Sequence, residues 1–169
     1  ASGGDFLACL SDADGCLPFI AHRGYDLPTW VSEQWLVLST SYSGNTEETI
    51  DATEAAIGLG CSVVGMSSGG ELQTLLENSN QTWIELPGGQ PPRSAFGHIF
   101  GAQIALSWKL GITSPPDDLD SMIVRLFEAV GACDFTENDG DDVIGEMAES
   151  ILNREVSVLA TQSLAPTAY

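Results

Sequence analysis

Basic side chains are scarce in this chain of 169 residues. Five lysine and arginine residues stand against 24 aspartate and glutamate residues, which gives a formal net charge of −19 at pH 7. A surface of that sign repels polyanions, which argues against nucleic acid and anionic membrane surfaces as partners. The same field opposes a phosphate ligand, so a phosphate site would need local hydroxyl and amide donors, or an arginine. We interpret most of the acidic residues as a solvated surface.

Histidine and cysteine are also few. The histidines are His22 and His98, and the four cysteines are scattered at positions 9, 16, 61 and 133 without a Cys-x-x-Cys pair. This set disfavours a zinc site. Thiols in this pattern suit the reducing cytoplasm, and no apolar run is long enough to span a bilayer. We therefore expect a cytoplasmic protein that binds no metal and contacts no membrane.

Apolar segments alternate with segments of helical periodicity, and the apolar fraction of 43% is enough for a folded core. Strands are predicted at residues 35–39, 61–66 and 82–86, and helices at residues 50–58, 71–78 and 93–110. A short helix at residues 6–10 and a strand at residues 18–22 are predicted before them. Strands that alternate with helices at this spacing predict a three-layer α/β/α sandwich with a parallel, doubly wound sheet.

A second region begins after Pro115 and Pro116. Periodicity predicts helices at residues 117–131 and 143–153, and an apolar run predicts a strand at residues 156–160. We interpret residues 1–113 as one α/β domain, residues 114–154 as linking helices and residues 155–169 as the first strand of a second domain. Because the chain starts without methionine and stops soon after that strand, we expect it to be a fragment.

The most informative segment is SYSGNTEET at residues 41–49, which follows a predicted strand and leads into a predicted helix. Three hydroxyls crowd this turn, and a glycine there permits a bend that other residues resist. The first turn of a helix presents free amides and a partial positive charge, which together attract anions. We predict that phosphate is bound here, by Ser41, Ser43, Gly44, Asn45 and Thr46. The alternative is a purely structural turn, in which Thr46 is only the helix N-cap.

The same segment resembles the signature of the sugar-isomerase (SIS) domain. More closely, it is similar to the first SIS domain of bifunctional phosphoglucose/phosphomannose isomerases. Three further segments match in the same order: RGYDLP at residues 23–28, SSGG at residues 67–70 and PRSA at residues 92–95. Residues 156–169 resemble the first strand of that family's second SIS domain. The resemblance implies a flavodoxin-like SIS fold and covers nearly the whole chain.

The resemblance also implies a function. In this family, glucose 6-phosphate or mannose 6-phosphate is interconverted with fructose 6-phosphate without a cofactor, and SIS proteins commonly form homodimers. Arg93 is implied to polarise the sugar oxygens as an enediolate forms, and Ser2 is implied to help bind phosphate, as part of a glycine-rich remnant. The family's catalytic glutamate and histidine would lie beyond Tyr169, so this fragment is expected to bind the sugar phosphate without turning it over.

Other readings remain open at this stage. Arg93 could form a surface ion pair, and Glu47 and Glu48 are explained by the dipole of the helix that they begin. His22 and His98 are given no catalytic role, because neither matches a position that the family uses. Two rival functions are a non-catalytic SIS-type sugar-phosphate sensor and a purely structural or oligomerisation domain.

Overall fold

The computed structural model describes residues 2–134, 143–161 and 166. The chain divides into two units, Ala1–Thr113 and Ser114–Tyr169, and each unit is described by itself. Within the described residues, no helix combines the length and the apolar content that crossing a membrane requires.

A parallel three-stranded sheet forms the centre of the first unit. Its strands are β1 (Leu36–Thr40), β2 (Ser62–Ser67) and β3 (Thr82–Glu85), and they lie side by side in chain order. Leu38 pairs with Val64, which in turn pairs with Thr82. All three strands therefore end at the same edge of the sheet.

Two helices cover one face of this sheet. They are α2 (Glu47–Gly58) and α3 (Gly70–Asn78). The core between helices and sheet consists of small and branched apolar side chains, namely Ala56, Cys61, Val63, Leu72 and Leu76. Gly65 of β2 leaves space for this packing, because a Cβ there would lie 2.1 Å from the Leu76 side chain. Close packing of α3 on the strand thus depends on a glycine.

The opposite face of the sheet is covered by α1 (Ser2–Asp14) and α4 (Phe96–Lys109). These helices contact each other, and the rings of Phe6, Phe96 and Phe100 lie within 5.7 Å of one another, centroid to centroid. An apolar cavity of about 430 Å³ remains beneath them, lined in part by Leu7, Leu38 and Leu106. With helices on both faces, the predicted three-layer α/β/α fold is confirmed.

Most element bounds differ from the predicted ones by a few residues, and two differences concern segments next to the site. Helix α1 starts at Ser2, so the glycine-rich segment expected to precede the helix forms its first turn. The long helix starts only at Phe96, because the Pro91–Pro92 pair directs a 3-10 turn, Pro92–Ala95, ahead of it.

The strand predicted at residues 18–22 is wrong. Two hydrogen bonds tie the chain just before it to the helical layer instead. The Ser11 hydroxyl donates to the Leu17 carbonyl over 2.5 Å, and the Cys16 amide donates to the Ile112 carbonyl over 3.1 Å. An apolar run of this length forms a strand only when a neighbouring strand supplies backbone partners.

The second unit consists of α5 (Leu119–Ala132) and α6 (Val143–Ile151). The Asp118 carboxylate caps α5 by accepting from the Ser121 amide over 3.0 Å. The apolar side chains of α5 are not buried, and Phe127 is 73% exposed. Residues 155–161 form no strand, and residues 162–165 and 167–169 of the predicted second-domain segment lie outside the described residues. The division of the chain into domains stays a prediction.

Candidate functional site

Three loops meet the carboxyl edge of the sheet, where ligands of parallel α/β folds bind. We name them by composition. The serine turn, residues 41–46, joins β1 to α2, and the glycine turn, residues 68–70, joins β2 to α3. The proline loop, residues 86–92, follows β3 and leads to Arg93.

The serine turn is shaped by Gly44. Its φ is +72°, a conformation that favours glycine, and its amide donates to the Ser41 carbonyl over 3.1 Å. A Cβ at this position would lie 1.8 Å from the carbonyl oxygen of Gly69. Gly44 therefore meets two demands: the bend itself and close contact with the glycine turn.

Two of the three predicted hydroxyls are brought together. The Oγ of Ser41 and the Oγ1 of Thr46 lie 2.8 Å apart, with Ser41 buried and Thr46 exposed. Ser43 is exposed and is not part of this pair, because its Oγ accepts from the Asn45 amide over 3.2 Å. The turn thus presents a hydroxyl pair at its base and a separate serine at its rim.

The amino end of α2 is open. Thr46 occupies the N-cap position, but its side chain makes no capping hydrogen bond. The amides of Glu47 and Glu48 have no acceptor among the described residues. First-turn amides without acceptors, at the positive end of the helix dipole, are donors that an anion can use.

The amino end of α3 is closed by contrast. The Glu71 amide donates to the Asn45 Oδ1 over 3.0 Å, and the Leu72 amide donates to the Gly44 carbonyl over 2.9 Å. The side-chain oxygen of Asn45 is therefore used to link the two turns, a role that the sequence analysis did not identify. The Glu71 and Leu72 amides of α3 are thus used within the protein, whereas the Glu47 and Glu48 amides of α2 have no acceptor among the described residues.

The base of α2 is fixed to β1 by a second pair of hydroxyls. Thr53 is fully buried and donates to the Ser39 Oγ over 2.7 Å. Because Ser39 lies on β1 just before the serine turn, this bond sets how far α2 projects from the sheet. The presence of Ser39 and Thr53 among apolar residues was the sequence signal that could have predicted this contact.

Arg93 lies in the 3-10 turn after the proline loop, and it is exposed. The surface ion pair that was the non-functional interpretation of Arg93 is not observed among the described residues. In the described part of the chain, the only ion pair joins Arg23 to Asp5. A guanidinium without a carboxylate partner, in a chain this acidic, remains available to an anion.

Carboxylates crowd the rim of the site. Glu48, the largest influence, together with partial burial, Glu47 and Asp51, raises the pKa of Tyr25 above its ordinary value. The same field opposes an incoming phosphate. An anion at the α2 end would therefore depend on short-range donors rather than on long-range attraction.

Helix α1 also begins at this edge. Ser2 is its first residue, and the side chain of Ser2 lies outside what the structure describes. A Cβ on Gly3 would lie 2.2 Å from the Oε1 of Gln103, whose Nε2 donates to the Thr40 Oγ1 over 3.0 Å. Gln103 is 5% exposed, and its Oε1 has no partner among the described residues. A buried glutamine in an apolar helix was the signal that could have found this contact.

Neither histidine forms a hydrogen bond with the Ser41–Thr46 pair in the described part of the chain. His22 is exposed, and the His98 Nε2 lies 3.0 Å from the Nε2 of Gln90 in the proline loop. Among the described residues, no group of histidine, cysteine or carboxylate side chains could hold a metal ion.

Comparison with known proteins gives several relatives, whereas no family model matches. A bifunctional phosphoglucose/phosphomannose isomerase of Caldicellulosiruptor bescii is 39% identical over 119 residues, covering 70% of this chain and 35% of that protein. A protein of the same name from Thermoplasma acidophilum is 37% identical over 90 residues, or 53% of this chain and 28% of the relative.

A D-glucosamine-6-phosphate 4-epimerase of Sulfolobus acidocaldarius is 35% identical over 71 residues, covering 41% of this chain and 23% of that protein. The chain thus spans about a third or less of the length of the curated relatives that it matches. These relatives act, by name, on phosphorylated sugars.

Proposed function

The chain belongs to the sugar-isomerase (SIS) family, with the bifunctional phosphoglucose/phosphomannose isomerases among its relatives, and from this premise we propose that it binds a sugar phosphate. The whole protein would interconvert glucose 6-phosphate or mannose 6-phosphate with fructose 6-phosphate. The proposal rests on one observation above all. The Ser41–Thr46 hydroxyl pair lies beside the helix end whose amides are unused among the described residues.

The phosphate would be bound by the serine turn. The Ser41–Thr46 hydrogen bond would be exchanged for bonds to the phosphate, to which both hydroxyls would then donate, and the amides of Glu47 and Glu48 would donate along the axis of α2. Ser43 would contact the phosphate from the rim once its Oγ rotates away from the Asn45 amide. Gly44 and Asn45 would maintain the conformation of the turn. Ser2 would contribute to phosphate binding from the start of α1.

Arg93 would act at the other end of the sugar. Aldose–ketose isomerisation moves a proton between adjacent carbons, and negative charge develops on the oxygens as the enediolate forms. A guanidinium without a carboxylate partner can stabilise that charge. This role fits the absence of an Arg93 ion pair among the described residues.

Proton transfer itself requires groups that this site does not offer. Neither histidine forms a hydrogen bond with the hydroxyl pair among the described residues, and the His98 ring contacts Gln90 instead. We infer that the base and the ring-opening acid, a glutamate and a histidine in the family, belong to another part of the protein. The 169-residue chain itself would bind substrate without turnover, in the cytoplasm and as part of a homodimer.

The test is a titration of the ¹⁵N-labelled chain followed by NMR. Fructose 6-phosphate and inorganic phosphate should shift the Glu47 and Glu48 amides, whereas unphosphorylated fructose should not. The double variant Ser41→Ala/Thr46→Val should weaken both phosphate ligands about 100-fold or more, since each of the two charge-assisted hydrogen bonds contributes about 1.5–3 kcal/mol. Thr74→Val, which removes an exposed α3 hydroxyl, is the matched control. Shifts scattered over the surface, or an unaffected double variant, would refute the proposal.

The epimerase relative supports a second candidate, in which the same phosphate site serves a different reaction on a hexosamine phosphate. Competition distinguishes the two candidates. The isomerase reading predicts that fructose 6-phosphate binds more tightly than D-glucosamine 6-phosphate, and the epimerase reading predicts the reverse. The non-catalytic sensor uses this phosphate site as well, but it gives Arg93 no role in recognising an enediolate mimic.

A further inference from the structure

Tyr42, between the two serines of the serine turn, contacts both other loops at the carboxyl edge. Its carbonyl oxygen accepts from the Ser68 amide over 2.8 Å and from the Ser68 Oγ over 2.7 Å. Its hydroxyl donates to the Pro87 carbonyl over 2.9 Å and accepts from the Gln90 amide over 3.2 Å. One residue therefore joins the serine turn to the glycine turn and to the proline loop.

The proline loop has few other attachments. Leu86 donates to the Ser67 carbonyl at the end of β3, and the Gln90 side chain contacts His98. Between them lies Gly89, whose φ is +86° and around which a Cβ would meet no atom within 4 Å. A segment with glycines and open surroundings has many accessible conformations, so its position depends on the bonds that fix it.

The position of the proline loop affects Arg93, because the segment between Gln90 and Arg93 is short and conformationally restricted. Gln90 is followed by Pro91 and Pro92, whose rings restrict φ, and the Ser94 amide donates to the Pro91 carbonyl over 2.9 Å. A displacement at Gln90 is therefore carried to the start of the 3-10 turn rather than absorbed before it.

We propose that Tyr42 is a positioning residue whose hydroxyl fixes the proline loop, and with it Arg93, relative to the serine turn. The proposal rests on the function proposed above for Arg93. Holding the loop before ligand arrives reduces the ordering that binding requires, and it sets the distance between the phosphate-binding turn and the guanidinium. The SYS order of residues 41–43 thus combines a binding serine, a tether and a second binding serine.

The tether is tested first without any ligand, by amide hydrogen exchange in the full 169-residue chain. Tyr42→Phe removes only the hydroxyl, and it should raise exchange at the Gln90 amide by about 10-fold. Exchange at Val63 and Leu72, in the core of the same unit, should stay within twofold. Tyr25→Phe, a hydroxyl beside Glu47, is the matched control and should leave Gln90 unchanged. Unchanged exchange at Gln90 in Tyr42→Phe would overturn the proposal.

Positioning is tested next by a double-mutant cycle on binding. The probes are inorganic phosphate, which needs only the serine turn, and 5-phospho-D-arabinonate, whose carboxylate mimics the enediolate. Tyr42→Phe should keep phosphate affinity within twofold and weaken the sugar acid about 5- to 30-fold. Arg93→Ala should weaken binding of the sugar acid by a similar factor. The double variant Tyr42→Phe/Arg93→Ala should bind the sugar acid only slightly more weakly than either single variant.

Each alternative result has a distinct meaning. Losses that multiply in the double variant, or equal weakening of both probes by Tyr42→Phe, would show that Tyr42 does not act through Arg93. Failure of the wild-type chain to bind either probe would refute the proposed function, and the exchange result at Gln90 would still decide whether the tether exists.

Discussion

The hydroxyl oxygens of Ser41 and Thr46 lie 2.8 Å apart, one at the end of β1 and the other at the N-cap of α2. Thr46 has the position of a capping residue but directs its hydroxyl to a serine rather than to a helix amide. This choice leaves the Glu47 and Glu48 amides of α2 unused within the described residues. A conventional cap would have occupied one of them.

The first prediction concerns that choice. Thr46→Ser retains a hydroxyl and should keep phosphate affinity within about threefold. Thr46→Val keeps the shape and removes the hydroxyl, so affinity for inorganic phosphate should fall about 10-fold, the loss expected for one charge-assisted hydrogen bond. Thermal unfolding of both variants is the control. A parallel loss of phosphate affinity in both would indicate that the hydroxyl is not the group that matters.

The second prediction separates backbone strain from steric contact at the serine turn. Gly44→Ala should destabilise the first unit by about 2–4 kcal/mol, since a positive φ costs a non-glycine residue about 1 kcal/mol and the Gly69 carbonyl must also move. Gly89→Ala has the same sign of φ but open surroundings, so it should cost only about 1 kcal/mol. Urea unfolding measures both. Equal costs would show that contact between the two turns is unimportant.

The third prediction concerns the contact of α1 with Gln103. Gly3→Ala should destabilise the fold by about 1 kcal/mol, because the buried end of the Gln103 side chain must shift and the gain in helix propensity offsets only part of that cost. In a Gln103→Ala background that cost should vanish. Gly101→Ala, a helical glycine with open surroundings, should instead stabilise by about 0.5–1 kcal/mol. A Gly3→Ala cost that persists without Gln103 would contradict the contact.

The fourth prediction uses the cysteines as probes of folding. Burial raises the pKa of the Cys61 thiol, which is 2% exposed, above its ordinary value of 9.0. Alkylation of Cys61 should therefore be far slower than that of Cys16 and Cys133, which are exposed, and should accelerate only as the first unit unfolds. Mass spectrometry of the alkylated peptides distinguishes the sites. Cys61 labelling as fast as Cys16 labelling would contradict the packing of α2 on β2.

The same raised pKa has a pH consequence. The folded state holds the Cys61 proton to higher pH than the unfolded state, so this contribution to stability is fully present below pH 9 and lost as pH rises through the raised pKa. The free energy of unfolding should fall above pH 9, and Cys61→Ala should make that fall shallower. An identical pH slope in the variant would exclude the thiol as its source.

The local sequence pattern was sufficient to predict the strands of the sheet and the helices that cover it, because strands buried on both faces are continuous apolar runs. The strand predicted at residues 18–22 failed, since an apolar run of that length does not say whether a partner strand lies beside it. The serine turn itself was predictable, because its hydroxyls, its glycine and its helix start are contiguous in the chain.

The tertiary contacts of the site were not predictable. The phosphate role predicted for Asn45 stays a prediction, but the bond from the Glu71 amide to its side-chain oxygen was not predicted, and Tyr42 was given no role although it contacts both other loops. Both contacts join residues that are at least 26 positions apart. Periodicity and spacing carry no information about such pairs, and only the register of neighbouring strands brings them together.

The most direct measurement is the ¹⁵N chemical-shift change of the Glu47 and Glu48 amides when fructose 6-phosphate is added to the chain. The account predicts saturable downfield shifts at these two amides, with Glu71 and Leu72 of α3 unaffected because their amides already donate within the protein. Saturation with no change at the start of α2, or with changes at the start of α3 instead, would contradict it.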